Sequence, residues 1–131
     1  MADIAMTRTT DLSFDQAVEA CRAALADEGF GVLTEIDMQS VLKAKLDVDR
    51  DPYVILGACH PPSAHAVLAA VPEVGVLLPC NVTVSVEEGT TTVRAMDPAT
   101  AMGLIDDPTV AEVAADIRGR LERAMTSLAG R

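Results

Sequence analysis

The sequence predicts an α+β fold: a mostly antiparallel sheet packed against two main helices, with short extra helices. Three observations carry this. A capping box opens an amphipathic helix at Ser13, alternating apolar segments flank a Glu88-Gly89 turn, and a long apolar stripe runs through the last helix. The order strand, helix, several strands, helix belongs to α+β folds and not to a regular βαβ alternation.

The elements follow in order. Asp3 to Thr10 is short and can pair as an edge strand. Ser13 and Gln16 then form the capping box, each side chain meeting a free backbone donor of the other. Phe14, Ala17, Val18, Cys21, Ala24 and Leu25 recur at helical spacing, and Gly29 ends the helix because glycine tolerates the left-handed conformation. Cys21 lies on that stripe and reads as a small buried hydrophobe. Phe30 to Ile36 reads as a strand with Val32, Thr34 and Ile36 on one face. Asp37 caps a short helix to about Leu46, with Met38, Val41, Leu42 and Leu46 expected inward. Pro52 closes a charged turn.

Tyr53 to Cys59 is apolar on both faces and is placed as a central strand, broken by His60-Pro61-Pro62. Ser63 to Ala70 is a short helix, Glu73 to Gly75 a turn, and Val76 to Glu87 an extended segment interrupted at Pro79. Beyond Pro79, Cys80, Val82, Val84 and Val86 alternate with Asn81, Thr83 and Ser85. Thr91 to Met96 returns from the hairpin, and Asp97 to Asp106 is a loop with Asp97 as a turn residue. Asp107 caps the last helix with Pro108 in its first position. Its stripe is Val110, Val113, Ala114, Ile117, Leu121, Met125 and Leu128.

The length, 131 residues, fits one domain, and no linker, repeat or low-complexity tract divides residues 1–131. Half the residues, 50%, are hydrophobic, which is enough for a core without disulfides or metals as staples. The net charge of −10 repels phosphate backbones, so nucleic acid and anionic membranes are poor partners. Arg118, Arg120 and Arg123 share their helix with Glu112, Asp116 and Glu122, which reads as a solvated face. Met1 to Thr10 has no basic start leading into an apolar run, so no signal peptide is expected. Tyr53–Cys59 and Val74–Leu78 fall far short of the ~18 apolar residues of a membrane span. A cytoplasmic protein is the expectation. The three cysteines, Cys21, Cys59 and Cys80, do not form a disulfide framework in that compartment.

The chain contains no P-loop, no G-x-G-x-x-G, no H-E-x-x-H, no C-x-x-C and no G-x-S-x-G. Each of those motifs encodes a phosphate cradle, a ligand spacing or an exposed nucleophile. The chemistry-bearing residues left are Cys59, His60 and His65 in Leu56-Gly57-Ala58-Cys59-His60-Pro61-Pro62-Ser63-Ala64-His65, and Cys80 and Asn81 in Leu77-Leu78-Pro79-Cys80-Asn81-Val82. Both segments lie at strand breaks, which re-aim side chains. A helix N-terminus beside Cys59 and Ser63 favours anionic groups. Neighbouring side chains in an extended chain point to opposite faces, so a direct Cys59–His60 pair is not the geometric default, whereas His65 could reach back. Four readings compete: two buried thiols in a sheet, a soft-metal or haem site with His60 or His65, a redox or sulfur-handling nucleophile, and the edge of a small-ligand pocket. Lys43, Lys45 and Arg50 could also gather around an anion.

The segments Gly29-Phe30-Gly31-Val32-Leu33-Thr34-Glu35-Ile36-Asp37, Leu56-Gly57-Ala58-Cys59-His60-Pro61-Pro62 and Leu77-Leu78-Pro79-Cys80-Asn81-Val82 resemble the domain of unknown function 302 family. The resemblance extends over nearly the whole chain. It implies a small α+β fold with an antiparallel sheet and two main helices, a homodimer, and no established activity. The family's cysteine positions correspond to Cys59 and Cys80. His60 stands where family members often carry Asn, a departure that leaves open whether an imidazole matters. Some relatives are associated with sulfur or redox gene contexts.

The leading expectation is a non-catalytic, homodimeric module that binds a small ligand in a pocket edged by Cys59, His60, His65, Cys80 and Asn81. Two alternatives stand beside it. One is a cysteine-dependent redox, sulfur-transfer or soft-metal protein, and the other is an interaction scaffold. No cofactor, ligand or metal is specified.

Overall fold

The computed structural model describes residues 3–129. Five strands form one antiparallel sheet: β1 (Ala5–Thr10), β2 (Gly31–Asp37), β3 (Tyr53–Cys59), β4 (Cys80–Glu87) and β5 (Thr90–Met96). The strand order is β1-β5-β4-β3-β2. β3 and β4 therefore lie in the interior, as the doubly apolar character of Tyr53–Cys59 predicts. The longer helices are α1 (Phe14–Asp27) and α5 (Pro108–Ala129). Shorter ones are α2 (Met38–Leu46), α3 (Pro61–Ala70) and α4 (Pro98–Met102), and a 3-10 turn spans Pro72–Leu77.

Alternation in the strands decides which side chains meet the helices. Val54, Leu56 and Ala58 of β3, Cys80, Val82 and Val84 of β4, and Val93 and Ala95 of β5 are buried in one cluster. Ala17, Cys21, Ala24 and Leu25 of α1 and Ile117, Leu121, Met125 and Leu128 of α5 complete it. A smaller cluster of Val67, Val74, Met102, Val110 and Ala114 extends the core beneath α3 and α4. The stripe of α5 serves both clusters, which is why this helix is long.

The helix ends are built as their residues dictate. Ser13 Oγ accepts from the Gln16 backbone N–H at 3.3 Å, and the Ser13 N–H donates to Gln16 Oε1 at 3.0 Å. Such a cap contributes about 1 kcal/mol. Glu88 (φ 52°) and Gly89 (φ 82°) form the β4–β5 hairpin with both central residues left-handed, which matches the twist of the strands.

Five local features depart from the sequence expectation. First, β2 carries a register shift between Val32 and Thr34, so Val32 pairs with Ala58 and Thr34 with Gly57. The extra residue, Leu33, turns Thr34 and Ile36 to the face opposite Val32. Second, no residue of α2 is buried: Val41 is 39% and Leu46 66% exposed. This helix packs mainly on β2 and β3, and the following segment touches it through the Gln39 side-chain amide, which donates to the Arg50 carbonyl at 2.8 Å. Third, α3 begins at Pro61, not Ser63, because proline at the first helical position gives up a backbone N–H that has no partner there anyway. Fourth, Val76 and Leu77 lie in the 3-10 turn, and the strand starts at Cys80. The Leu78–Pro79 peptide bond is cis. Fifth, the expected loop after β5 contains α4. Asp97 caps it by accepting from the Ala99 N–H at 2.9 Å, and also takes Arg118 Nε of α5 at 3.1 Å.

Candidate functional site

The β3–α3 junction and the start of β4 meet at one end of the sheet. Ala58 lies opposite Cys80 in the ladder, so Cys59 is a diagonal neighbour of Cys80 on the adjacent strand. Gly57 makes room for this arrangement. A Cβ there would stand 2.1 Å from Thr34 Oγ1 and 2.8 Å from Pro79 Cγ. The proline that precedes β4 thus lies close against Gly57 of β3, one residue before Cys80.

His60 is held on three sides. Its Nδ1 shares a hydrogen bond of 2.6 Å with Ser63 Oγ, on the first turn of α3. Its ring packs on Phe30 with centroids 5.7 Å apart. Its Cδ2–Nε2 edge faces Gly29, where an added Cβ would be 3.0 Å from Cδ2 and 3.2 Å from Nε2. Gly29 sits at φ +87°, so the residue that ends α1 also opens space for the imidazole.

These groups border a cavity of about 340 Å³ between α3 and the sheet end. Ala58, Cys59, His60, Pro79 and Cys80 form one wall, and Ala64, Val67 and Leu68 of α3 another. Phe30, Leu33, Gly75, Leu78 and Ile117 complete it. No lining side chain is charged, and its only polar side-chain groups are the two thiols and the imidazole. Cys80 is buried, and that burial, followed by the charge of Cys59, pushes its thiol up to about 11. At neutral pH it is therefore a protonated, weak donor and not a nucleophile. Cys59 is half-buried and is the more accessible of the pair.

The expected site residues do not all converge. Cys59, His60 and Cys80 share the cavity. His65 is exposed on α3 and Asn81 is exposed on β4, and neither lines the cavity. Cys21 lies in the core between α1 and the sheet, where burial pushes its thiol up to about 12. The apolar walls contributed by Ala64, Leu68 and Ile117 carry no motif. Their only signal in the sequence is helical periodicity, which does not distinguish a cavity wall from a filled core.

The cations are engaged elsewhere. Lys43 bridges Asp47 at 2.8 Å and Asp49 at 3.0 Å, and Arg50 lies 5.0 Å over the Tyr53 ring. Lys43 and Arg50 border one hollow together with Gln39, Ser40 and Asp49, and Lys45 does not line it. Arg118, Arg120 and Arg123 pair with Glu122, Asp116 and Glu28 respectively. Glu87 pairs with Arg94 and accepts from Ser85 Oγ, which hold its carboxyl down at about 2. A second hollow is bordered by Asp15, Glu19, Glu35 and Asp37. Among the described residues, no three His, Cys, Asp or Glu side chains come together so as to hold a metal ion. Among the same residues, no helix is long and apolar enough to cross a membrane.

The three-dimensional arrangement has a counterpart among solved structures. The crystal structure of an uncharacterized conserved protein DUF302 from Bacillus stearothermophilus superposes with a TM-score of 0.90 at 34% identity, covering 97% of this chain and 99% of that one. No curated protein matches the chain. The sequence profile described as Domain of unknown function DUF302 matches residues 6–128, nearly the full length, and the chain belongs to that family.

Proposed function

We propose that this chain is a non-catalytic, homodimeric module that binds a small ligand in the pocket edged by Cys59, His60 and Cys80. The observation that carries the reading is the cavity of about 340 Å³, which lies within the range of about 300–1,000 Å³ for small-molecule sites. Apolar walls with few convergent polar groups are the usual composition of such sites. Ile36 of β2, Val41 and Leu46 of α2, and Val48 just beyond it, all at least 39% exposed, offer an apolar face to a second copy.

Native mass spectrometry of freshly purified protein tests both parts. The expected result is a dimer, at twice 13.7 kDa, carrying a small-molecule mass that the Ala64→Phe variant lacks. A bare monomer that takes up no added small molecule would sink the proposal. The nearness of Cys59 to Cys80 favours a second reading, a thiol-dependent redox or sulfur-transfer activity. That reading requires Cys59 alkylation to titrate well below the ordinary thiol range.

A further inference from the structure

We infer that the pocket takes a small, uncharged, largely apolar molecule with one hydrogen-bonding group, which docks on His60 in the orientation fixed by Ser63. This rests on the ligand-binding reading above and adds the class of ligand. Charge is excluded first. No charged side chain lines the cavity, and the nearby Arg120 already donates to Asp116 at 2.9 Å and to the Glu28 carbonyl at 3.1 Å. An ion entering such a site would lose hydration and gain at most one hydrogen bond, at His60, with no opposite charge in the lining.

The one hydrogen-bonding group follows from the imidazole. Ser63 is only 8% exposed, and its hydroxyl occupies Nδ1. Nε2 has no hydrogen-bond partner among the described residues. It is also not shut away, because the only buried unpartnered side-chain atom among those residues is Thr83 Oγ1. Nε2 is thus the uncommitted nitrogen of the one ring with polar atoms that lines the cavity. Ser63 acts as a positioning residue: it fixes which nitrogen is free and where the ring stands.

The test is a nitrogen-15 NMR titration with probes of one shape and different polarity: 4-ethylphenol, ethylbenzene, 4-ethylbenzoate and the 4-ethylbenzylammonium ion. The expected result is saturable shifts of the Cys59, His60, Ala64, Leu68 and Cys80 amides with the first two. The phenol should bind about fivefold tighter than ethylbenzene, the value of one hydrogen bond. It should bind about tenfold or more tighter than either ion. His60→Phe should abolish the preference for the phenol while retaining ethylbenzene, and His60→Leu serves if that variant does not fold. Ser63→Ala should narrow the preference and move the His60 ring-nitrogen resonances. Equal or tighter binding of an ion at the same amides would overturn the ligand class and leave the pocket reading standing. An undiminished phenol preference in His60→Phe or His60→Leu would overturn the assignment to His60. If no probe shifts these amides at millimolar concentration, the pocket reading itself fails.

Discussion

Gly57→Ala is the substitution that most directly tests how the site end of the sheet is assembled. The added Cβ would meet Thr34 Oγ1 at 2.1 Å and Pro79 Cγ at 2.8 Å, both far inside van der Waals contact. The two obstacles differ in kind. Thr34 is exposed on β2 and can rotate its side chain, at about 0.5–1.5 kcal/mol if it leaves its preferred rotamer. Pro79 is a ring attached to the backbone beside Cys80, so it moves only with the start of β4. Overpacking of this sort costs about 1–3 kcal/mol. Alanine also narrows the unfolded ensemble relative to glycine, which offsets about 0.4–1 kcal/mol. The expected net loss is about 1–2 kcal/mol by denaturant unfolding, with the m-value unchanged. Thr34→Ala in the same chain should restore less than half of it, because Pro79 remains. A Gly57→Ala protein within about 0.5 kcal/mol of the parent would refute the close approach. Full recovery in the double variant would show instead that Thr34, and not Pro79, is the wall.

Other perturbations follow from the same packing. At pH 8 a thiol reagent should label Cys59 before Cys80 or Cys21. A Cys80 thiol near 11 has only about one thiolate in a thousand at that pH, and peptide mapping reads the order. Cys21 and Cys80 are raised in the fold above their ordinary 9.0, so their contribution is complete below pH 9. It is lost as pH rises toward 11 and 12. Stability should fall over that window, and Cys21→Ala should flatten the slope. Glu87 is lowered in the fold from 4.5 to about 2, so its pair with Arg94 contributes above pH 4.5 and is lost as pH falls toward 2. Glu87→Gln should remove that acid dependence, and a carbon-13 titration of Glu87 should show a midpoint near 2. Ser63→Ala should cost about 1 kcal/mol through the lost bond to His60.

The elements fixed by local chemistry were legible in the residues. The Ser13–Gln16 box, the Glu88-Gly89 turn and the stripe of α5 each depend on positions within a few residues of one another, and each forms as read. The alternation of Cys80, Val82 and Val84 likewise gave the buried face of β4. What depends on the rest of the chain was not legible. The bulge at Leu33 reverses Thr34 and Ile36 without any glycine or proline to mark it. The stripe of α2 predicts burial, but only a covering element could provide it, and none is present among the described residues. The site was legible in the same partial way. Strand breaks at His60 and Pro79 pointed to Cys59, His60 and Cys80, which the ladder brings together. His65 belongs to the same segment, yet the helical turn that starts at Pro61 carries it outward. The roof from Ile117 comes from the far end of the chain, and Ser63 became a partner of His60 only because the helix began two residues earlier than its polar residues suggested.

The cavity and its ligand class are tested most directly by a crystal structure of the protein grown with 4-ethylphenol. The expected density is a ring among Val67, Leu78 and Ile117 with its hydroxyl within hydrogen-bond distance of His60 Nε2. A cavity closed by Leu33 and Leu68, or a phenol bound only elsewhere on the surface, would contradict the account.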